Sequence, residues 1–303
     1  MTARAALGSA AGNQRGILLM VLGMALFAVE DAFIKVAMAG LPPGEVLLVL
    51  GAAGGATFAL AARARGLRLL SRRALHPAVL GRNACEMVGT LGYVLALAAV
   101  PLTTASAIFQ AVPLFVTMGA ALFLGESVGW RRWTAILLGF AGVIVIIRPG
   151  AESFQPGALW ALLAAFGLAA RDLFTRRIPA GTDSLLLAGW GLWAVAALGA
   201  GQLLASGGGR MPEGAEWAWL LGAWAFGTTA YWTLTEATRA GELSAVMPFR
   251  YTRLLFALLL GALVFAERPD LWTIVGASAV IASGLYSFAR ERARALSMRR
   301  PGS

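Results

Sequence analysis

The chain is 303 residues long, 59% hydrophobic and only 13% charged, with a net charge of +10 and a mean hydropathy of +0.74. A water-soluble domain is about 45–50% apolar and about 25% charged, so this chain cannot cover a soluble body of its size, and it is too apolar for a disordered one. Its outer surface is read as facing lipid, and where the 25 basic residues sit decides whether +10 marks a nucleic-acid binder.

A membrane-crossing helix takes about 20 mostly apolar residues. Ten stretches qualify in chain order: 16–38, 43–62, 77–99, 102–124, 133–147, 157–176, 184–205, 217–238, 243–265 and 271–289, numbered here spans 1 to 10. Span 1 is too long, and too polar in its second half, for a cleaved signal peptide. The joints carry turn or charge signals, among them Leu41-Pro42-Pro43-Gly44, Arg148-Pro149-Gly150 and Gly207-Gly208-Gly209. No connector is long enough for a separate soluble domain. Cys85, the one cysteine, falls in span 3, so an intrachain disulfide is impossible.

The charges now have addresses. Alternate connectors and both ends hold 17 basic residues, Arg4, Arg15, Arg63, Arg131, Arg176, Arg239 and Arg300 among them, against Arg148, Arg210 and Arg268 on the other face. That asymmetry predicts both termini in the cytoplasm. The +10 is therefore an orientation signal, with no nucleic-acid partner expected, and the Arg-rich connector and tail suit anionic lipid headgroups.

The polar residues inside the spans come next. Span 1 carries Glu30, Asp31 and Lys35; span 2 carries Gly51-x-x-x-Gly55, a close-packing face for internal or dimer contact. Asn83, Glu86, Thr90 and Tyr93 in span 3 lie three and four apart, as one helix face requires. So do Thr103, Ser106, Gln110, Pro113 and Thr117 in span 4, Trp224, Thr228, Tyr231, Thr235 and Thr238 in span 8, and Ser244, Pro248 and Tyr251 in span 9. Such stripes belong in the bundle interior. They read either as a cavity lining or as helix–helix hydrogen bonds worth about 0.6 kcal/mol each. Arg82 and Glu86 are spaced to pair along their own helix. Arg171 and Asp172 fall in span 6. Arg250 and Arg253 in span 9 need partners, for which Glu86, Asp172 and Glu236 are available; a substrate carboxylate also suits Arg250. Pro113 and Pro248 each remove a backbone donor and free a carbonyl.

The chain repeats at about 140 residues. Glu30 to Lys35 matches Arg171 to Arg176 at an offset of 141, with Asp31 on Asp172 and Phe33 on Phe174; Glu126 matches Glu267 at 141. Thr90 and Tyr93 match Thr228 and Tyr231, and Ser106 matches Ser244, at 138. The unit is five spans, 1–150 and 151–303. An odd unit puts its second copy upside down, so the expected fold is all-α integral membrane: ten transmembrane helices in two inverted five-helix repeats, working as one unit. Inverted repeats are an architecture of secondary transporters, with the site between the halves. Glu30, Asp31, Arg171 and Asp172 then sit at opposite ends of one pathway, as gate or coupling residues or as structural ion pairs.

Pro113-Leu-Phe-Val-Thr-Met-Gly-Ala-Ala-Leu-Phe-Leu-Gly-Glu126, followed by Arg132-Trp133, Gly139, Gly142 and Arg148-Pro149, resembles the hallmark of EamA-type domains of the drug/metabolite transporter superfamily. A looser second copy runs from Pro248 through Phe265-Ala266-Glu267 to Trp272, Gly276 and Gly284, with Ala266 where the family usually has Gly. The resemblance implies a ten-helix exporter whose helices 1, 3, 4, 6, 8 and 9 surround a central cavity, and it is most similar to the aromatic amino acid exporters. The expected function is export of amino acids and related small metabolites from the cytoplasm across a bacterial inner membrane by alternating access, with export of organic cations or drugs, or an uncoupled channel-like facilitator, as alternatives. Substrate contact is assigned to Asn83, Glu86, Thr90, Tyr93, Gln110, Pro113, Trp224, Thr228, Tyr231, Pro248, Arg250 and Tyr251.

An enzyme is not expected: H-E-x-x-H and G-x-S-x-G are absent and His76, the one histidine, lies outside the spans. No phosphate-binding loop and no cofactor or metal is expected. A proton counter-ion would use Glu30, Asp31, Glu86 or Asp172.

Overall fold

The structure, a computed structural model, describes residues 10–126 and 128–299. Arg4 and Arg300, counted above on the basic face, lie outside the described residues, as does the side chain of Ser244. Among the described residues every regular element is helical. Ten helical units follow the expected order. Span 1 is Ala10–Ala37, span 2 Pro43–Ala64, span 3 Pro77–Ala99, span 5 Trp130–Ile147, span 6 Ala158–Thr175, span 7 Ser184–Ala205, span 8 Ala215–Ala240 and span 10 Leu271–Arg299.

Spans 4 and 9 are each broken. Span 4 is two helices, Leu102–Phe109 and Val112–Phe123; span 9 runs Leu243–Val246, then a 3-10 stretch Met247–Tyr251, then Thr252–Phe265. Both breaks lie at the prolines, because Pro113 and Pro248 cannot donate to the helical ladder. Eight units are long and apolar enough to cross a membrane; spans 3 and 8 fall short on apolarity. These two carry two of the four polar stripes, and Glu86, Thr90, Tyr93, Trp224, Thr228 and Tyr231 on them line a cavity inside the bundle.

Packing joins the first five spans to the last five. Span 1 lies along span 8, span 3 along span 6, span 2 along span 7 and span 5 along span 10. Glycine makes the approaches close. A Cβ at Gly142 would stand 2.7 Å from the Gly276 carbonyl oxygen, and one at Gly51 would stand 2.7 Å from that of Leu192. Gly55 lies against Trp193, so the Gly51/Gly55 face is internal, against span 7.

The same contacts occur twice, at a constant offset of 141. Phe33 lies against Gly222 and Phe174 against Gly81, each ring 2.6 Å from where a Cβ would be. The Glu126 amide donates to the Ala120 carbonyl at 3.2 Å and the Glu267 amide to that of Gly261 at 2.9 Å. Each closes a left-handed helix end, at Gly125 (φ 70°) and Ala266 (φ 51°), a turn that favours glycine because it lacks a Cβ. The offset corrects part of the sequence alignment. Span 3 matches span 8 at 141, so Glu86 answers to Gly227, and Thr90 and Tyr93 do not answer to Thr228 and Tyr231.

Candidate functional site

A cavity of about 570 Å³ lies between the two halves. Spans 1, 3, 4, 6, 8 and 9 all line it, span 2 contributes as much wall as most of them through Leu47, Leu50, Gly51, Gly54 and Phe58, and spans 7 and 10 add smaller parts. Of the residues expected at the site, Glu86, Thr90, Tyr93, Gln110, Pro113, Trp224, Thr228, Tyr231, Pro248, Arg250 and Tyr251 line it, and so do Glu30, Asp31, Arg171 and Asp172. Asn83 does not. It stands one position off the face of Arg82, Glu86, Thr90 and Tyr93, and its Oδ1 accepts from Arg82 at 3.1 Å.

Two charged clusters dominate the wall. In the first, Arg253 grips Asp31 with both arms, Nη2 to Oδ1 at 2.7 Å and Nε to Oδ2 at 3.1 Å. The Tyr93 hydroxyl donates to Asp31 at 2.9 Å. Three rings, Phe27, Tyr93 and Phe109, surround the guanidinium at 5.1, 5.4 and 4.9 Å. Asp31 is 1% exposed, and a buried carboxylate is tolerated only when paired and hydrogen-bonded in this way. The partner is Asp31, not one of the three acids considered from the sequence. Phe27 and Phe109 were not on the expected list. The signal was available: Phe27 precedes Asp31 by four and shares its helix face.

In the second cluster Arg171 bonds Glu86 at 3.0 Å and Asp172 at 2.8 Å. Arg82 closes the chain, reaching Glu86 at 3.0 Å and the Leu187 carbonyl at 3.1 Å. These bonds tie span 3 to spans 6 and 7.

Two charges on the wall are left over. Among the described residues, no opposite charge lies within 4.0 Å of the Glu30 carboxylate or the Arg250 guanidinium. The repeat explains the first. Arg171 meets Glu86, but Glu30, at the matching position, meets Gly227, which has no side chain to offer. The Tyr251 hydroxyl is also buried without a partner among the described residues. By contrast, Thr117, Thr228 and Thr235 bond carbonyls of their own helices, at 2.9, 2.7 and 2.9 Å. These three hydroxyls are spent within their own helices and bridge no pair of helices. The indole N–H of Trp224 is taken by Thr57 at 3.0 Å.

The two halves meet at the helix breaks. Gln110 Nε2 donates to the Tyr251 carbonyl at 3.1 Å, and these residues are 141 apart. One end of the cavity is shut by buried Leu47, Leu97, Val100 and Leu102. The other reaches the surface at Arg176, which lines the cavity and whose side chain is 47% exposed.

The profile of the EamA-like transporter family matches residues 14–148 and again 155–288. The chain belongs to the EamA-like transporter family. It is a multi-pass membrane transporter and not an enzyme. Among its curated relatives, a riboflavin transporter of Rhizobium johnstonii is 32% identical over 71% of each chain. An S-adenosylmethionine uptake transporter of Rickettsia felis is 30% identical over 67% of this chain and 69% of that one. The pseudopaline exporter CntI of Pseudomonas aeruginosa is 30% identical over 88% of this chain and 93% of that one. A solved crystal structure, 20% identical, shares the fold at a TM-score of 0.63, covering 93% of this chain and 99% of that one. The three relatives have three different cargoes, so membership fixes transport of a small molecule and leaves cargo and direction open.

Proposed function

We propose that this chain is a secondary transporter that exports amino acids, aromatic ones included, and related zwitterionic metabolites from the cytoplasm by alternating access. Its units are the two five-helix halves, 1–150 and 151–303, inverted relative to each other, with both termini in the cytoplasm of a bacterial inner membrane. Support for the inversion comes from contacts that recur at an offset of 141 across a five-span unit, and from the breaks meeting at Gln110 and Tyr251. The basic connectors support an open mouth on the cytoplasmic side.

One observation carries the cargo reading: the wall holds two ionisable groups of opposite sign, Glu30 and Arg250, with no salt-bridge partner within 4.0 Å among the described residues. A zwitterion satisfies both, its carboxylate on Arg250 and its ammonium on Glu30. The rings of Phe58 and Tyr231, edge to face at 4.8 Å, offer an apolar wall to an aromatic side chain. Among the relatives' cargoes, S-adenosylmethionine carries an amino acid head and riboflavin a flat ring system, so one cavity design suits both features. Asp31–Arg253 joins span 1 to span 9 and Arg171–Glu86 joins span 6 to span 3, as gating pairs would.

Competition of counterflow in proteoliposomes tests this, with aromatic amino acids, aliphatic amino acids and organic cations side by side. Zwitterions should compete and simple organic cations should not. Competition by the cations alone would replace the reading with drug or cation export.

A further inference from the structure

Both ends of the cavity carry the same helix-to-helix turn. At the shut mouth, span 3 ends on Val100 (φ −134°, ψ 166°), whose amide donates to the Ala96 carbonyl. At the open mouth, span 8 ends on Gly241 (φ −129°, ψ 171°), whose amide donates to the Ala237 carbonyl. The two turns are 141 residues apart and share one conformation.

What differs is what holds them. At the shut mouth Lys35 Nζ donates to the carbonyls of Leu97 at 2.9 Å and Val100 at 2.6 Å. The Glu267 carboxylate accepts from the amides of Leu102 at 2.6 Å and Thr103 at 3.0 Å. These four backbone groups are the ones a helix end and a helix start leave unsatisfied. The signs are the right ones, a cation on the last carbonyls of span 3 and an anion on the first amides of span 4. Lys35 ends span 1 and Glu267 follows span 9, so the turn is held from both halves of the molecule.

The equivalents of these two side chains are Arg176 and Glu126, each at an offset of 141. At the open mouth, among the described residues, neither is bonded to its turn. They pair with each other at 2.5 Å, their side chains 47% and 45% exposed. The amide of Glu242 in that turn is taken by Asn13 at 2.8 Å instead.

We propose that each mouth has a latch made of one cation and one carboxylate, and that the two latches engage in turn. In the state seen here Lys35 and Glu267 are engaged while Arg176 and Glu126 are released. In the opposite state Arg176 donates to the carbonyls of Thr238 and Gly241, and Glu126 accepts from the amides of Leu243 and Ser244. Lys35 and Glu267 then leave the 97–103 turn and pair with each other. The four are positioning residues that need not touch cargo. The latch rests on the alternating-access reading but not on the choice of cargo.

Labelling by a membrane-impermeant maleimide tests it without any cargo, in the full chain with Cys85→Ser. Val94→Cys reports the shut end of the cavity, where Val94 is 2% exposed, and Thr117→Cys reports the open end. Lys35→Met and Glu267→Gln should raise labelling at position 94 from the shut side by about tenfold, the worth of one charge-assisted hydrogen bond, and lower it at position 117. Arg176→Met and Glu126→Gln should do the reverse. Lys35→Arg and Arg176→Lys, which keep the charge, should label like the parent. Only protein eluting as a folded species is scored; the four disrupting variants are independent, so loss of one leaves the comparison standing. Variants at both mouths moving the reporters in the same direction, or moving neither, would overturn the latch. A transporter that fails every cargo in the panel above could still show these opposite shifts, so the two failures are distinguishable.

Discussion

Arg250 and Arg253 are three residues apart on one span, yet their surroundings assign them different work. Arg253 is consumed by Asp31 and the rings of Phe27, Tyr93 and Phe109, whereas Arg250 has no acidic group within 4.0 Å among the described residues. Arg250→Gln should therefore assemble normally but raise KM for a carboxylate-bearing cargo by about 10- to 100-fold, the range for a hydrogen bond to a charged group. Competition assays on purified protein check it; an unchanged KM would remove the carboxylate subsite. Arg253→Met should instead fail at assembly, because it leaves Asp31 buried and unpaired at a cost of about 3–5 kcal/mol. Adding Asp31→Asn should recover much of the folded yield in a thermal-melt comparison. Glu30→Gln divides the cargo differently: solutes with an ammonium group should bind more weakly, and matched acids without one should not change.

At the scale of elements, the repeated turns carry a testable strain. Gly125 closes span 4 at φ 70° without cost, but Ala266 closes span 9 at φ 51° with a Cβ. Ala266→Gly should raise thermal stability by up to about 1 kcal/mol, the lower end of the penalty for a left-handed residue with a Cβ; a lower Tm would count against it. Gly81 and Gly222 behave oppositely. Each seats a phenylalanine ring where a Cβ would stand at 2.6 Å, so alanine at either should destabilise by about 1–3 kcal/mol. Similar losses at both sites are expected, because the two contacts are the same contact repeated. These elements also mark how far the sequence could be read. The ten apolar stretches, the prolines at 113 and 248 and the polar stripes were all visible, because lipid penalises polar groups locally and along one helix. The register between spans 3 and 8 was not. Identity of Thr90 with Thr228 suggested 138, while the fold is set by where glycines admit rings, which is a relation between two helices. The partner of Arg253 stayed hidden for the same reason, since Asp31 is 222 residues away. The part of Lys35 and Glu267 was equally hidden, because their reach to the 97–103 turn spans 62 to 165 residues of chain.

For the whole molecule, each extensive helix pair joins one half to the other, so a movement of one half must be a movement against its twin. Buried Leu47, Leu97, Val100 and Leu102 lie at one end of the cavity, as the proposed alternating access requires of a closed mouth. The composition that marks the chain as a membrane protein also leaves few charges within the bundle. Among the described residues most of those on the cavity wall sit in salt bridges, and the two that do not, Glu30 and Arg250, carry the cargo proposed. The most direct measurement is trans-stimulation in proteoliposomes. Efflux of a labelled aromatic amino acid should rise several-fold and saturate when the same unlabelled solute is supplied on the opposite side, because a loaded carrier reorients to release and reload. Flux that stays linear in concentration and indifferent to solute on the far side would contradict alternating access.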